Sequence, residues 1–206
     1  MKIITISREF ASGGRELGKR LADILGFDYY DREIITAIAQ NKGLQEKYVE
    51  NMLDNHGWRA FPLTFSNSMM GVSAVSAISA GLLIEQKKVI EQIASLGKDF
   101  IIVGRSADVI LKTYDPFNIF VCADMDSKVK RCLERASEEE QLTEKEAAKK
   151  IKLIDKNRAR TREIISGSKW GERGTYHLTV NTTGWNIKEL SCATADFAKA
   201  WFEKTK

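Results

Sequence analysis

The stretch Ile3-Ile4-Thr5-Ile6-Ser7-Arg8-Glu9-Phe10-Ala11-Ser12-Gly13-Gly14-Arg15-Glu16-Leu17-Gly18-Lys19-Arg20-Leu21 decides how the rest of the chain is read. Its apolar, β-branched opening suits a strand buried on both faces of a parallel sheet. Glycines then break the run, and the spacing Leu17, Leu21, Ile24, Leu25 predicts an amphipathic helix stopped by Gly26. A strand, a Gly-rich turn and a helix N-terminus together outline an anion site. Unpaired backbone N–H groups and a partial positive charge face the turn, and Gly13 and Gly14 let a phosphate come close. Ser12 would add a hydroxyl donor.

The turn departs from the phosphate-loop pattern G-x-x-x-x-G-K-[ST]. If Gly13 is the second glycine, Gly14 replaces the lysine and Arg15 the hydroxyl residue. If Gly14 is, Arg15 replaces the lysine and Glu16 takes the hydroxyl's place. In either register Arg8 or Glu9 stands where the first glycine belongs. Taken alone, the stretch reads equally as a phosphate loop without its cation or as an ordinary strand-to-helix turn.

Working outward, 206 residues with 43% hydrophobic content can bury a substantial core and predict one α/β domain with excursions. Only two prolines argue against disorder, and a net charge of +4 points to small anionic ligands rather than to coating of nucleic acid. Cys122, Cys132 and Cys192 show no metal-ligand spacing and are expected to be reduced, mostly buried thiols in a cytoplasmic protein. No signal-peptide order opens the chain. The segment Ala60 to Ile84 carries no charge, yet Pro62, Asn67 and its serines make it too polar for a membrane span. A helix packed on another helix or subunit is expected there, with self-association through residues 60–84.

Further strands are expected at Phe27 to Tyr30, Phe100 to Val103, Asn118 to Ala123 and His177 to Asn181. Helices are expected near Arg32 to Gln40, Leu44 to Asn55, Glu85 to Leu96, Ser127 to Ala136, Thr143 to Ile165 and Asn186 to Glu203. Thr143 and Glu146 have capping-box spacing. This alternation predicts a doubly wound parallel sheet whose crevice lies beyond the carboxyl ends of the strands. Arg8 to Gly14, Asp31-Arg32, Gly104-Arg105, Asp124 and Thr182-Thr183 then share one edge. Asp31 reads either as a helix N-cap or as a ligand contact. Arg105, following a buried strand and a glycine, suits a bidentate grip on phosphate. Arg131, Arg135, Lys149, Lys150, Lys152, Lys156, Arg158, Arg160 and Arg162 form a basic stretch, either a solvated helix face or a set of phosphate clamps.

In order and content these pieces resemble the cytidylate kinase-like family within the P-loop nucleoside monophosphate kinases. The resemblance rests on Ser7 to Glu16, Phe27 to Glu33, Val103-Gly104-Arg105, Phe120 to Ala123, Arg131 and Arg135, and Asp155 to Arg160. It implies a P-loop-type five-stranded parallel sheet with helices on both faces, a helical monophosphate-binding excursion at residues 32–97 and an arginine-rich lid at residues 137–162. It further implies an ATP-dependent phosphotransferase working with Mg²⁺ on a small phosphorylated or hydroxyl acceptor. By that analogy Arg8, Ser12, Gly13, Gly14, Arg15 and Glu16 hold the donor phosphates, and Thr182 and Thr183 lie near the donor base. Asp31, Arg32 and Arg105 meet the acceptor, while Arg15, Arg131, Arg158 and Arg160 act on the transferring group. Mg²⁺ would be held through the phosphates, with Glu16 as a candidate ligand. The family loop ends Lys-Gly-Thr, and an ungapped alignment puts Gly14 in the lysine's place and Glu16 in the hydroxyl's. That difference leaves a second reading open, a catalytically silent nucleotide-binding regulator.

Overall fold

Strand β1 (Ile3–Arg8) forms the centre of the sheet because its alternate side chains are apolar on both faces, and Ile3, Ile4 and Ile6 are buried. The computed structural model describes residues 1–50, 53, 69–135 and 142–204. On one side β1 pairs in parallel with β3 (Phe100–Val103), which pairs in turn with β2 (Asp28–Tyr30). On the other it pairs with β4 (Phe117–Cys122), and β4 pairs with β5 (Leu178–Asn181). The order β2-β3-β1-β4-β5 reverses direction at β1. A parallel sheet opens its ligand crevice at such a switch point, so the turn after Arg8 sits where the topology places a site.

Helices α1 (Gly14–Leu25) and α8 (Ile187–Lys204) cover one face. Leu17, Leu21 and Ala22 of α1 and Ile187, Ala195 and Ala198 of α8 interlock with Ile4, Ile6, Ile101, Val103, Ile119 and Val121. Gly18 is part of this packing, since a Cβ there would lie 2.9 Å from Val103 Cγ2. Helices α5 (Ala107–Ile110), α6 (Met125–Glu134) and α7 (Glu144–Ser166) complete this unit, which comprises residues 1–31 and 97–206. Helix α7 opens on the expected capping box, with the Thr143 hydroxyl and Glu146 carboxylate serving each other's backbone N–H groups.

Residues 32–96 form a second compact unit. It contains α2 (Glu33–Lys42), α3 (Glu46–Glu50) and α4 (Met69–Ser95). Its buried residues include Ile34, Ile38, Val49, Leu82 and Ile90. Glu85, itself buried, accepts from Asn41 at 3.0 Å and pairs with Lys42 at 3.3 Å, so its carboxyl is held below the usual carboxylate range, chiefly by the Asn41 bond. The 27-residue α4 runs as one helix from Met69 to Ser95, joining the helix expected within residues 60–84 to the one expected at Glu85 to Leu96. The change in charge at Ile84 is no helix end, because alanine, leucine and single serines all continue a helix. Residues 60–68, most of the expected helix after Asn51, and 137–141 of the expected lid lie outside the described residues. Among the described residues no helix is long and apolar enough to cross a membrane.

Candidate active site

The loop after β1 is built by contacts from the far end of the chain. Ser12 is fully buried, and its hydroxyl donates to the Glu9 carbonyl at 2.8 Å rather than facing outward as the sequence suggested. The buried Thr182 hydroxyl donates to the Ser12 carbonyl at 2.7 Å. Arg131 grips the same threonine twice, Nη1 to Oγ1 at 2.9 Å and Nη2 to the carbonyl at 2.8 Å. Thr183 Oγ1 accepts from the Asp124 N–H at 2.8 Å. Both threonines are thus engaged in bracing the loop and the start of α6. Asp124 caps α6 through Ser127, and that bond holds its carboxyl below the usual range.

Helix α7 supplies the other brace. Asp155 Oδ1 accepts the Phe10 N–H at 2.6 Å, and Arg158 donates to the Arg8 carbonyl at 3.0 Å. Four residues further on, Arg162 makes a buried pair with Asp108. Positions 155, 158 and 162 fall on one stripe of the helix. Beneath the loop, Lys128 is 5% exposed and donates to Glu9 Oε2 at 2.9 Å and Asp155 Oδ2 at 3.5 Å. Burial, the largest influence, pushes the Asp155 carboxyl above its ordinary value despite these cations. Burial likewise raises the Cys122 thiol, with the Glu9 charge adding to the effect. The three cysteines are free, but only Cys132 is fully buried, so the expectation of mostly buried thiols is not met.

Gly13 adopts φ 83° at the N-cap of α1, a conformation suited to glycine, and Gly14 opens the helix. Together with Arg8, Glu9, Phe10, Ala11, Arg15, Arg131, Cys132, Arg135, Lys150 and Arg158 they line a cavity of about 250 Å³. Five arginines and one lysine face a single acid there, Glu9, whose charge is balanced by Lys128. Such a lining suits a multiply charged anion. Arg160 is exposed and lies outside it.

The Arg8 side chain packs closely against Gly14 and Gly104. A Cβ on Gly14 would lie 2.6 Å from Arg8 Cβ, and one on Gly104 would overlap the Arg8 guanidinium. Arg8 therefore occupies the space into which a side chain at position 14 would project, and it arches over Gly104 toward Asp31, 3.6 Å away. Arg15 also pairs with Asp31, though its own side chain is 55% exposed against 11% for Arg8. Asp31 is not the N-cap of α2: Arg32 holds that position, without a side-chain cap bond, and Asp31 is buried between two arginines. Arg105 follows Gly104 with φ 62°, and Arg32, in the second unit, pairs with Glu50 at 3.4 Å.

In the ungapped alignment to the family loop, Glu16 falls in the place of the hydroxyl residue. Its Oε1 accepts from Arg20 at 3.0 Å and its Oε2 from Arg135 at 2.6 Å. Among the described residues no group of three or more His, Cys, Asp or Glu is placed to hold a metal ion. The side chains present do not fit a protein-held Mg²⁺. Lys128, Glu9 and the bracing by Asp155 were not anticipated from sequence. The available signal was a lysine on the apolar stripe Met125, Val129, Cys132 of α6, three residues after Met125 and four before Cys132.

A parallel five-stranded sheet with an anion loop at its switch point defines the P-loop kinase-like class of α/β fold. The chain belongs to the cytidylate kinase-like family, whose model matches residues 3–184. No match was found among the curated proteins. Among solved structures it is similar to an uncharacterized protein from Eubacterium ventriosum ATCC 27560, at 24% identity and TM-score 0.70, covering 97% of this chain and 99% of that one. It is also similar to shikimate kinases. That of Bacteroides thetaiotaomicron is 14% identical with TM-score 0.58, covering 96% of this chain and 98% of the other. That of Acinetobacter baumannii, in complex with shikimate, is 13% identical with TM-score 0.56, covering 97% and 94%. At these identities the likeness establishes the fold.

Proposed function

We propose that this protein is an ATP-dependent phosphotransferase in which Arg8, delivered from strand β1, supplies the loop cation that the helix lacks. The observation that carries the reading is that the Arg8 side chain occupies the space a residue at position 14 would need. The donor phosphates lie against the backbone N–H groups at Gly13 to Arg15, with Arg131 and Arg158 on the opposite wall. An acceptor oxygen forms a bond to the terminal phosphorus as the bond to the leaving ADP oxygen breaks. Charge spreads onto the phosphoryl oxygens as this happens, and fixed guanidinium groups stabilise it without reorganising. On the acceptor side the family resemblance assigns Asp31, Arg32 and Arg105, and Arg160 would join the clamp on the transferring group. A cytoplasmic location is part of this reading.

The test is a coupled assay with ATP across nucleoside monophosphates and small hydroxyl and phosphate acceptors, run on the parent, on Arg8→Gly and on Arg8→Gly with Gly14→Lys. Turnover is expected with some acceptor, and Arg8→Gly should lose roughly a hundredfold in rate, the usual cost of removing one group that stabilises developing charge. Removing the whole side chain, Cβ included, makes room for a lysine at 14, so the double variant should recover at least part of that loss. Saturable ATP binding with no transfer to any acceptor would instead favour the second reading, a nucleotide-binding regulator without catalysis.

A further inference from the structure

Glu16 points to the ionic form of the ligand. In a phosphate loop the residue at this place ligates the Mg²⁺ that screens the donor phosphates. Here it is a carboxylate with each oxygen held by a different arginine, Arg20 within α1 and Arg135 at the C-cap of α6. A cation at Glu16 would sit beside two guanidinium groups that already balance the carboxylate's charge. The other loop hydroxyl, Ser12, is fully buried and bonded to Glu9. The Glu9 carboxylate is covered by Lys128 and the Ala123 N–H. Every oxygen-bearing side chain of the loop is therefore already committed to a cation or to backbone. The cavity meanwhile is lined by five arginines and a lysine against one acid, Glu9, and it keeps a positive excess even with Asp31, Glu16 and Asp155 paired to four of those arginines.

We propose that this site takes its phosphate ligand as the uncomplexed polyanion, with guanidinium groups in place of the metal ion. The inference rests on the phosphotransferase reading for the place of the ligand, and it specifies the charge state that the site selects. Magnesium bound to the polyphosphate cancels part of the charge that the arginines recognise, and the protein returns no ligand in exchange. Complexation then weakens binding.

Calorimetric titration of the full chain with ATP and with inorganic tripolyphosphate, each in EDTA and in excess Mg²⁺, tests this. Both probes are expected to bind in EDTA, and Mg²⁺ to weaken each by about tenfold, the scale of one lost charge-assisted contact. Binding that requires Mg²⁺, or that Mg²⁺ tightens, overturns the proposal, as does failure of both probes to bind. Tripolyphosphate binding without ATP binding keeps the proposal and sinks ATP as donor, so the two readings fail separately. Glu16→Thr provides a second arm, because it restores the missing hydroxyl and releases Arg135. This variant should regain tolerance of Mg²⁺, narrowing the gap between the two conditions. An unchanged gap in a folded variant would show that Glu16 does not set the preference.

Discussion

The two walls of the cavity hold their arginines in different ways. On the α1 wall, Arg15 and Arg8 converge on the buried Asp31, and Arg135 reaches across to Glu16, so carboxylates balance these cations. On the α6 and α7 wall, Arg131 is fixed by two uncharged oxygens of Thr182, with the Asp124 carboxylate feeling its charge from further off, while Arg158 donates to the Arg8 carbonyl and pairs with Asp155 at 3.8 Å. A guanidinium oriented by neutral oxygens is positioned without being neutralised, whereas one bound to a carboxylate must exchange one anion for another when a ligand arrives. Attraction for phosphate on binding should therefore come most from Arg131, and least from the half-exposed Arg15.

The largest expected difference lies between Arg131→Met and Arg15→Met. Losing Arg131 removes a cation bonded only to uncharged oxygens and a brace of the loop, and should weaken tripolyphosphate binding roughly a hundredfold, the cost of one or two charge-assisted hydrogen bonds. Losing Arg15 should cost no more than about threefold, since a half-exposed cation paired to a carboxylate contributes little. Calorimetry on both variants checks this, and equal losses would erase the distinction between the walls. Asp31→Asn gives an intermediate effect of opposite sign. It frees two arginines, and anion affinity should rise about fivefold as local positive charge increases. A fall in affinity would mean that Asp31 orients these arginines more than it occupies them.

The smallest effect is one of pH and concerns the brace itself. Burial raises the Asp155 carboxyl, so the folded protein binds that proton more tightly than the unfolded chain does. The resulting stabilisation is fully present below the ordinary aspartate pKa and fades as pH rises through the raised folded value. Asp155→Asn keeps an oxygen for the Phe10 N–H and has no such dependence. Urea unfolding of both proteins between about pH 3 and pH 7 should show the variant gaining on the parent as pH rises, a window set by the ordinary aspartate value. A gap that is constant or shrinks with rising pH would contradict the burial argument.

Much of the sheet could be read directly, because Ile3 to Ile6 and Phe100 to Val103 are short apolar runs bounded by glycine or charge, a pattern that alternation with helices makes parallel. The capping box at Thr143 was equally plain, being a local bond between residues three apart. Asp31 was harder. An aspartate before a helix has the same local signature whether it caps the helix or accepts arginines from elsewhere, and its burial depends on Arg8 and Arg15, which sequence proximity does not reveal. Lys128 escaped notice for a related reason: a lysine on an apolar stripe becomes intelligible only once Glu9 and Asp155 are known to lie beneath it. Ser12 and Thr182 read as polar residues at an edge, but the Ser12 hydroxyl turns inward to the Glu9 carbonyl, and the Thr182 hydroxyl turns to a partner 170 residues away in the chain.

That separation also bears on how the protein is made. Strand β1 and the loop are synthesised well before the residues that pin the loop's backbone, Asp155, Arg158 and Thr182, at separations of 145, 150 and 170 residues. Contacts so distant form late, since closing long loops is slow and costs entropy before any contact rewards it. A nascent chain that has emerged only as far as β4 has its central strands but no finished cradle. The cradle would then be finished only once residues 155–182 have emerged, so the loop's shape reports on the arrival of its distant partners.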